Sequence, residues 1–439
     1  MADGVPGTLS AMATTIKFLF VSTYGGIMDL ARKILAEGHE VRFWIEGKTE
    51  RNVGDGFVPK VDEWKPHVDW ADVIVFDDVE YGAVCEDLRR KGKAVVGGSA
   101  YGDKLELDRD FGQHEMKAVG MTVLPSWDFD SFDAAIEFVT KHPDRYVVKP
   151  NGAAQNEKVL SYVGQDDDGK DVVHMLSFYK RGWGKKIQGF QVQKHATGVE
   201  VAVGAYFNGK KFILPACVNF EHKRLMNDEI GPSTGEMGTT MFWSGENTLV
   251  RETVLRFEER LAASGYVGYF DLNCIATHRG IVPLEATCRF GFPTYNIQMD
   301  AILSPIGEFF AALARGEDYH LRTKKGFQVG VVVAVPPYPF EDPAAFHRFS
   351  EDAVILWRRE MHEGIHPCEV RLEDGDWLLS GASGYSLVVT GTANTMIDAR
   401  KEAYSRVRNI LIPNMMYRTD IGERWARDGD LLQSWGLLT

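Results

Sequence analysis

Between Gly265 and Thr294 lie five side chains whose types and spacing could seat a polyphosphate: Asp271, Asn273, Glu285, Thr287 and Arg289. Two apolar, β-prone runs flank a polar break at 277–280, which predicts a hairpin. Alternate residues of a strand share a face. Asp271 and Asn273 then point one way on the first strand, and Glu285, Thr287 and Arg289 one way on the second. Two carboxylates on adjacent strands with a guanidinium beyond them suit magnesium bound to phosphate oxygens, because magnesium takes one or two carboxylates plus substrate phosphates. A half-exposed hairpin carrying a cross-strand charge pair is the alternative from this segment alone.

Other stretches must place that hairpin. Ile16–Val21, the turn 22–26, the amphipathic stretch Ile27–Glu37 and the strand Val41–Ile45 read as a βαβ opening, with further strands at Ala71–Phe76 and Ala94–Val96. The Thr23–Gly26 turn, with Gly25 and Gly26, sits where such sheets bind anions, and a plain tight turn is the competing reading. Helices are expected at 104–119 (a charged, solvated face including Glu106, Asp108 and Arg109), 132–140, 249–264, 305–315 and 394–409. Tyr146–Lys149 is a strand ending in lysine. The turn-rich loop Pro150–Lys158 and a strand at 159–163 follow, an arrangement that suits a flap over phosphates. Strands are expected at 191–195, 200–207 and 212–215. Residues 220–238 carry a basic triplet, His222-Lys223-Arg224, and three glycines, and read as a long ordered irregular segment with a function. From Phe327 onward a strand at 328–335 opens what looks like a separate closing unit.

Composition bounds the rest. The 439 residues suffice for two to four compact units, and the net charge of −13 gives no global attraction to nucleic acid or anionic membrane. The five cysteines are scattered without metal spacing, as buried thiols in a reducing compartment would be. No apolar run approaches the roughly 20 residues of a membrane helix, and residues 1–14 read as a flexible leader. A cytoplasmic protein is expected.

At this point the stretches 222–224 (HKR), 231–238 (GPSTGEMG), 284–294 (LEATCRFGFPT) and 417–422 (YRTDIG) together resemble the ATP-grasp enzymes, and within them the phosphoribosylamine–glycine ligase family. The likeness runs from about residue 100 to about 425. It implies an α/β architecture of α+β ATP-grasp type: a pre-ATP-grasp parallel-sheet domain at 15–103, an ATP-grasp domain at 104–326 with a lid at about 122–197, and a small β-rich domain at 327–439. It implies ATP and Mg2+, with Mn2+ as a substitute. Lys149 and Arg109 would hold ATP phosphates, and Gln193, Lys194 and His195 of the 191–196 hinge strand would read adenine, largely through backbone groups. Glu200 would lie near the nucleotide sugar. Asp271, Glu285, Thr287 and Asn273 would ligate metal, and Arg289 would act with Lys149 on the transferred phosphate. The acceptor pocket would take in His222, Lys223, Arg224, Thr234, Gly235 and Gly238, with Arg289, Thr294, Gly25 and Gly26 also facing substrate.

The implied reaction joins a small-molecule carboxylate to an amine through an acyl phosphate, with a phosphorylated sugar or nucleotide as acceptor, in a monomer or homodimer. Three departures bear on it. Thr287 replaces the family's asparagine, with Asn273 able to compensate. Gln155-Asn156-Glu157 thin the glycine flap. Gly291-Phe292-Pro293-Thr294 lacks two acids of the family motif, which points to an altered, bulkier or uncharged substrate. A true phosphoribosylamine–glycine ligase and an inactive nucleotide binder are the alternatives.

Overall fold

The computed structural model describes residues 14–151, 160–340 and 342–439. The expected leader, except Thr14, lies outside the described residues. So do Gly152–Lys158 of the expected flap, and Val159.

The first unit is a four-stranded parallel sheet. Strands β1 (Lys17–Ser22), β2 (Glu40–Ile45), β3 (Val73–Phe76) and β4 (Val95–Val96) run in the order β2-β1-β3-β4, with α1 (Met28–Ala36) and α2 (Gly82–Arg90) as crossovers. Its central strands are continuous apolar runs because helices cover both faces of such a sheet.

Next come α3 (Ala100–Leu107) and α4 (Arg109–Ala118). The single helix expected at 104–119 breaks at Asp108, whose backbone is extended (φ −107°, ψ 98°) and whose carboxylate accepts from Phe111 N, capping α4. An antiparallel sheet follows, built from β5 (Ser126–Phe129), β6 (Tyr146–Pro150), β7 (Tyr162–Val163) and β8 (Phe190–Lys194) in the order β5-β8-β6-β7, with α5 (Phe132–Lys141) and α6 (Lys170–Gly182). The strand expected at 159–163 is reduced to β7. Tyr146, Val148, Phe190 and Val192 pack against the two helices. Lys149, Gln191 and Gln193 therefore occupy the opposite face.

The third unit holds β9 (Val199–Phe207), β10 (Phe212–Glu221), β11 (Arg224–Met226), β12 (Ile230–Ser233), β13 (Gly238–Ser244), α7 (Thr248–Glu252), α8 (Glu258–Ala263), β14 (Gly268–Thr277), β15 (Gly280–Thr287), α9 (Thr294–Ala301) and α10 (Ile306–Ala314). The segment expected to be irregular at 220–238 is a β-ribbon, β11 paired with β12. The helix expected at 249–264 is interrupted at Thr253 (φ −120°, ψ −100°) and continues through a 3-10 turn into α8. Helix α9 has no amphipathic period to betray it, since seven of its eight residues are buried.

The chain closes with β16 (Phe327–Ala334), α11 (Pro343–Phe349), β17 (Leu356–Trp357), β18 (Ile365–Pro367), β19 (Val370–Glu373), β20 (Asp376–Leu379), β21 (Tyr385–Ala393), α12 (Met396–Val407), β22 (Ile410–Leu411) and α13 (Trp425–Ser434). These residues, read as a separate unit, continue one eight-stranded sheet of order β15-β14-β9-β10-β13-β16-β21-β18. Strand β16 pairs with β13, Gly238 opposite Val331, and so covers what would be an open edge. A buried hydrogen bond ties the last unit to the first: His366 Nδ1 lies 2.7 Å from Asp29 Oδ2. All five cysteines are buried thiols. Among the described residues no helix is long and apolar enough to cross a membrane.

Candidate active site

Alternation along the eight-stranded sheet creates the site. Val199, Val201 and Val203 of β9, Val218 and Phe220 of β10, and Phe270, Leu272 and Cys274 of β14 pack into one core. Their neighbours Glu200, Asn219, Glu221, Asp271 and Asn273 must then face the other way. The β14–β15 register sets Asp271 opposite Thr287 and Asn273 opposite Glu285, so the four expected metal residues share one face. The neighbouring strand adds only Gly204 beside Asp271 and Ala202 beside Asn273, which leaves that face uncrowded. A Cβ on Gly204 would lie 2.8 Å from Asp271 Oδ2. Glycine lets Tyr269 OH (3.0 Å) and Asn219 Nδ2 (3.1 Å) both donate to that oxygen. Burial, then the charge of Glu221, pushes the Asp271 carboxyl up to about 7. Its Oδ1 and the Oδ1 of Asn273 are buried without a hydrogen-bond partner.

At the β15 edge of this face lies a cavity of about 240 Å³, lined among others by Glu106, Arg109, Lys149, Glu285, Thr287 and Arg289, but not by Asp271 or Asn273. Both expected phosphate-binding cations, the transfer arginine and one metal carboxylate therefore meet around a single space. Lys149 Nζ donates to Gln193 Oε1 (2.9 Å). Arg109 donates to Pro150 O (2.9 Å) and Asn151 Oδ1 (2.8 Å), beside the segment expected to form the flap. Of the hinge strand, Gln193 faces the cavity side. The Lys194 side chain turns to the opposite face and pairs with Asp144, while the amides of Lys194 and His195 donate to Pro125 O and Arg145 O. Neither amide is left to read a base.

One contributor, Glu106, escapes the sequence reading, and Gln191 of the hinge strand contributes through its side chain. Gln191, buried, accepts from Gln113 Nε2 (3.2 Å) on the cavity side of β8. Glu106, read as part of a solvated helix face, is largely buried and accepts from Cys288 N (2.7 Å) and Arg289 Nε (3.0 Å). Its charge was visible, but its partner lies 183 residues away. Asp78 sits 3.2 Å from the same Nε. Burial acts to lower the Arg289 pKa, and Glu106 and Asp78 override it, fixing a charged guanidinium at the cavity wall. Replacing Glu106 by glutamine keeps the shape and removes the charge. Turnover should fall ~10-fold, as for other residues that orient a reacting group, and steady-state kinetics of ADP release would measure it.

The triplet at 222–224, expected to line the acceptor pocket, does not present three free positive charges. His222 is buried, its Nε2 accepts from Gly422 N (3.4 Å), and burial followed by Arg424 and Arg418 pushes its pKa down to about 3, so it is neutral. Lys223 Nζ is surrounded by Glu221 (2.9 Å), Glu200 (3.7 Å) and Glu285 (3.9 Å). Burial alone would lower its pKa, but these carboxylates hold it well above the usual lysine value. Arg224 donates to Gly231 O (2.9 Å) within its own ribbon. Thr234 is buried and closes the ribbon through Lys223 O, whereas Gly235 borders open space. Gly238, the first residue of β13, accepts from His222 N.

The Gly25–Gly26 turn differs from an anion loop. Thr23 N donates to Asp77 Oδ1 (3.1 Å) and Gly25 N to Ser22 Oγ (2.8 Å), so these amides are already engaged. A Cβ on Gly26 would lie 2.8 Å from the Phe292 ring: glycine is needed there to seat Phe292. Thr294 opens α9 and is buried. Burial, then repulsion from Asp78, pushes the Asp77 carboxyl up to about 7 from an ordinary 3.8. A carboxyl whose folded pKa is raised stabilises the fold fully below its unfolded pKa, and the contribution is lost as pH climbs to the folded value. The melting temperature should therefore fall between about pH 4 and pH 7, and Asp77→Asn should flatten that fall in a scanning-fluorimetry series.

Residues 108–294 match the family phosphoribosylglycinamide synthetase, ATP-grasp (A) domain. Curated phosphoribosylamine–glycine ligases of Streptococcus pneumoniae and Corynebacterium ammoniagenes are 27% and 26% identical, covering 79% and 77% of this chain and 82% and 79% of theirs. The solved phosphoribosylamine–glycine ligase of Thermotoga maritima superposes with a TM-score of 0.68 at 22% identity, over 92% of this chain and all of that one. A biotin carboxylase from Campylobacter jejuni, solved as a β,γ-ATP complex, superposes with a TM-score of 0.61 at 11% identity, over 95% of this chain and 97% of that one. With two sheets enclosing a cation-lined cavity and these likenesses over most of its length, the chain has the ATP-grasp fold and is a carbon–nitrogen ligase of that type, similar to the phosphoribosylamine–glycine ligases.

Proposed function

We propose that the protein binds ATP in the 240 Å³ cavity and joins a small carboxylic acid to an amine, as a phosphoribosylamine–glycine ligase does. The observation that carries this is the convergence of Lys149, Arg109, Arg289, Glu285 and Thr287 on that one space. Lys149 and Arg109 hold phosphate oxygens of the nucleotide. Arg289, held by Glu106, meets the phosphoryl group in transfer with its planar fork. The substrate carboxylate attacks the γ-phosphorus, ADP leaves, and the amine displaces phosphate from the acyl phosphate to form the amide.

A hard divalent cation fits the donor set: the Glu285 carboxylate, the orphaned Oδ1 atoms of Asp271 and Asn273, and the Thr287 hydroxyl are all oxygen ligands. Among the described residues no three His, Cys, Asp or Glu side chains are grouped to hold a metal by themselves, which suits an ion shared with nucleotide phosphates. Magnesium, or manganese in its place, would neutralise charge on the β- and γ-phosphates. The unit boundaries 15–103, 104–326 and 327–439, with a lid at about 122–197, go with this reading, as does a cytosolic location.

The curated relatives favour phosphoribosylamine and glycine as substrates, being 24–27% identical over nearly four fifths of the chain. Phe292, seated on Gly26 in the acid-free 291–294 turn, favours an altered substrate as the second reading. An ADP-release screen across amino acids and phosphosugar amines separates them. Release that requires both glycine and phosphoribosylamine is expected. Release with a different pair selects the second reading, and nucleotide binding with no release from any pair defeats the ligase assignment.

A further inference from the structure

One buried acid of this region has no place in the phosphate chemistry. Glu236 lies in the turn between β12 and β13, and its backbone is pinned on both sides. Met237 N donates to His222 O (2.8 Å), and Tyr338 OH donates to Glu236 O (3.0 Å). The side chain is 5% exposed, and its Oε1 is buried with no hydrogen-bond partner.

The two nearby cations are engaged elsewhere. Lys223 sits among Glu221, Glu200 and Glu285, while Arg424 donates to Glu221 O and has its Nε, buried without a hydrogen bond, 3.5 Å from Asp428. The other charged neighbours of Glu236, Glu221 and Asp271, repel it. On the neighbouring β10, Asn219 Oδ1 is also a buried oxygen left unpaired. Next to Glu236, Gly235 faces open space where a Cβ would stand. A buried carboxyl oxygen with no donor is costly, and so is an unpaired buried amide oxygen. The ligand that satisfies such a set brings several N–H donors and positive charge. A small primary ammonium brings three donors, whereas a hydroxyl of the same size brings one donor and no charge.

We infer that Glu236 is a specificity residue that receives the protonated amino group of a small α-amino-acid substrate. The inference rests on the ligase reading above. It supplies an acidic partner for an amino acid although residues 291–294 contain none.

The test uses the full chain. ADP release is measured with glycine, alanine and serine against glycolate, lactate and N-acetylglycine, in the wild type and in Glu236→Gln, with ADP binding followed separately by calorimetry. The wild type should use the free amino acids and reject their hydroxy and N-acetyl counterparts. Glu236→Gln should raise the amino-acid KM tenfold or more and leave the ATP KM within twofold, a split that a merely structural role would not produce. An amino-acid KM moved less than twofold overturns the inference. So does a wild type that accepts glycolate or N-acetylglycine as well as glycine, or that binds ADP yet shows no amino-acid-dependent release. If Glu236→Gln does not fold, the wild-type ratio of amino acid to hydroxy acid decides alone. Failure to bind ADP at all would instead remove the ligase reading beneath it.

Discussion

Glu285→Ala should lower ADP release by ~100-fold or more, the scale of losing one preorganised electrostatic contact to a transferring group. Glu285 is half-exposed, on the edge strand β15, and its ion pair with Lys223 is long at 3.9 Å. An exposed pair of that kind contributes only ~0–1 kcal/mol to stability. The variant should therefore melt near the wild type, so that lost turnover cannot be blamed on unfolding. Lys223 would keep Glu221 at 2.9 Å and Glu200 at 3.7 Å. Glu285→Gln should lose nearly as much activity, because it preserves the shape and removes the charge a divalent ion needs. A Glu285→Ala protein retaining more than half of the wild-type rate would show that this carboxylate does not serve the nucleotide's metal.

The second large effect is on stability. Arg418 is 1% exposed and donates to Asp420 (2.8 and 2.7 Å), Glu229 (2.8 Å) and Arg224 O (3.0 Å). Thr419 N donates to Asn227 Oδ1 (3.0 Å), and Asp228 N donates to Asp420 (3.0 Å). The segment 418–424 thereby buckles the tip and base of the β11–β12 ribbon to the end of the chain, and with it the placement of His222, Lys223 and the 234–238 turn. Removing one partner of a fully buried charge cluster costs about 3–5 kcal/mol; here Asp420 and the Arg224 carbonyl lose a buried donor while Glu229 is half-exposed, which sets that figure as the upper bound. Arg418→Met is expected to lower the melting temperature by roughly 5–10 °C. Lysine should not rescue it, since one ammonium cannot reproduce the guanidinium fork that meets both acids and a carbonyl. A Tm within 2 °C of wild type would show the buckle to be unimportant. Because the chain has several packed units, the melting temperature and not an extrapolated ΔG is the quantity to compare.

Much of this arrangement is written locally. The alternation Asp271-Leu272-Asn273-Cys274 and Glu285-Ala286-Thr287-Cys288 separates core from site with no knowledge of the rest of the fold, because a strand's side chains have a period of two. The strand-final lysine at 149 and the βαβ opening are equally local. Helix breaks were illegible for a different reason. Asp108 and Thr253 are compatible with helix, and what stops each helix is a side chain that caps or bonds backbone, Asp108 to Phe111 N and Thr253 to Leu249 O. The ribbon at 224–233 reads as irregular in the sequence because its three- and four-residue strands are too short to show a period.

The sequence by itself determined which side chains of the β14–β15 hairpin look away from the core, that a lysine ends β6, and that the chain is built as an ATP-grasp fold. Only the tertiary structure decided what state those groups are in. Charge and hydrogen bonding depend on neighbours distant in the chain: His222 is neutral because Arg418 and Arg424 crowd a buried ring, Lys223 is caged by acids from three strands, Glu106 is a buried prop for Arg289, and the amides of Thr23 and Gly25 are taken by Asp77 and Ser22. Desolvation and Coulomb energy follow distances in space, which residue order alone does not encode.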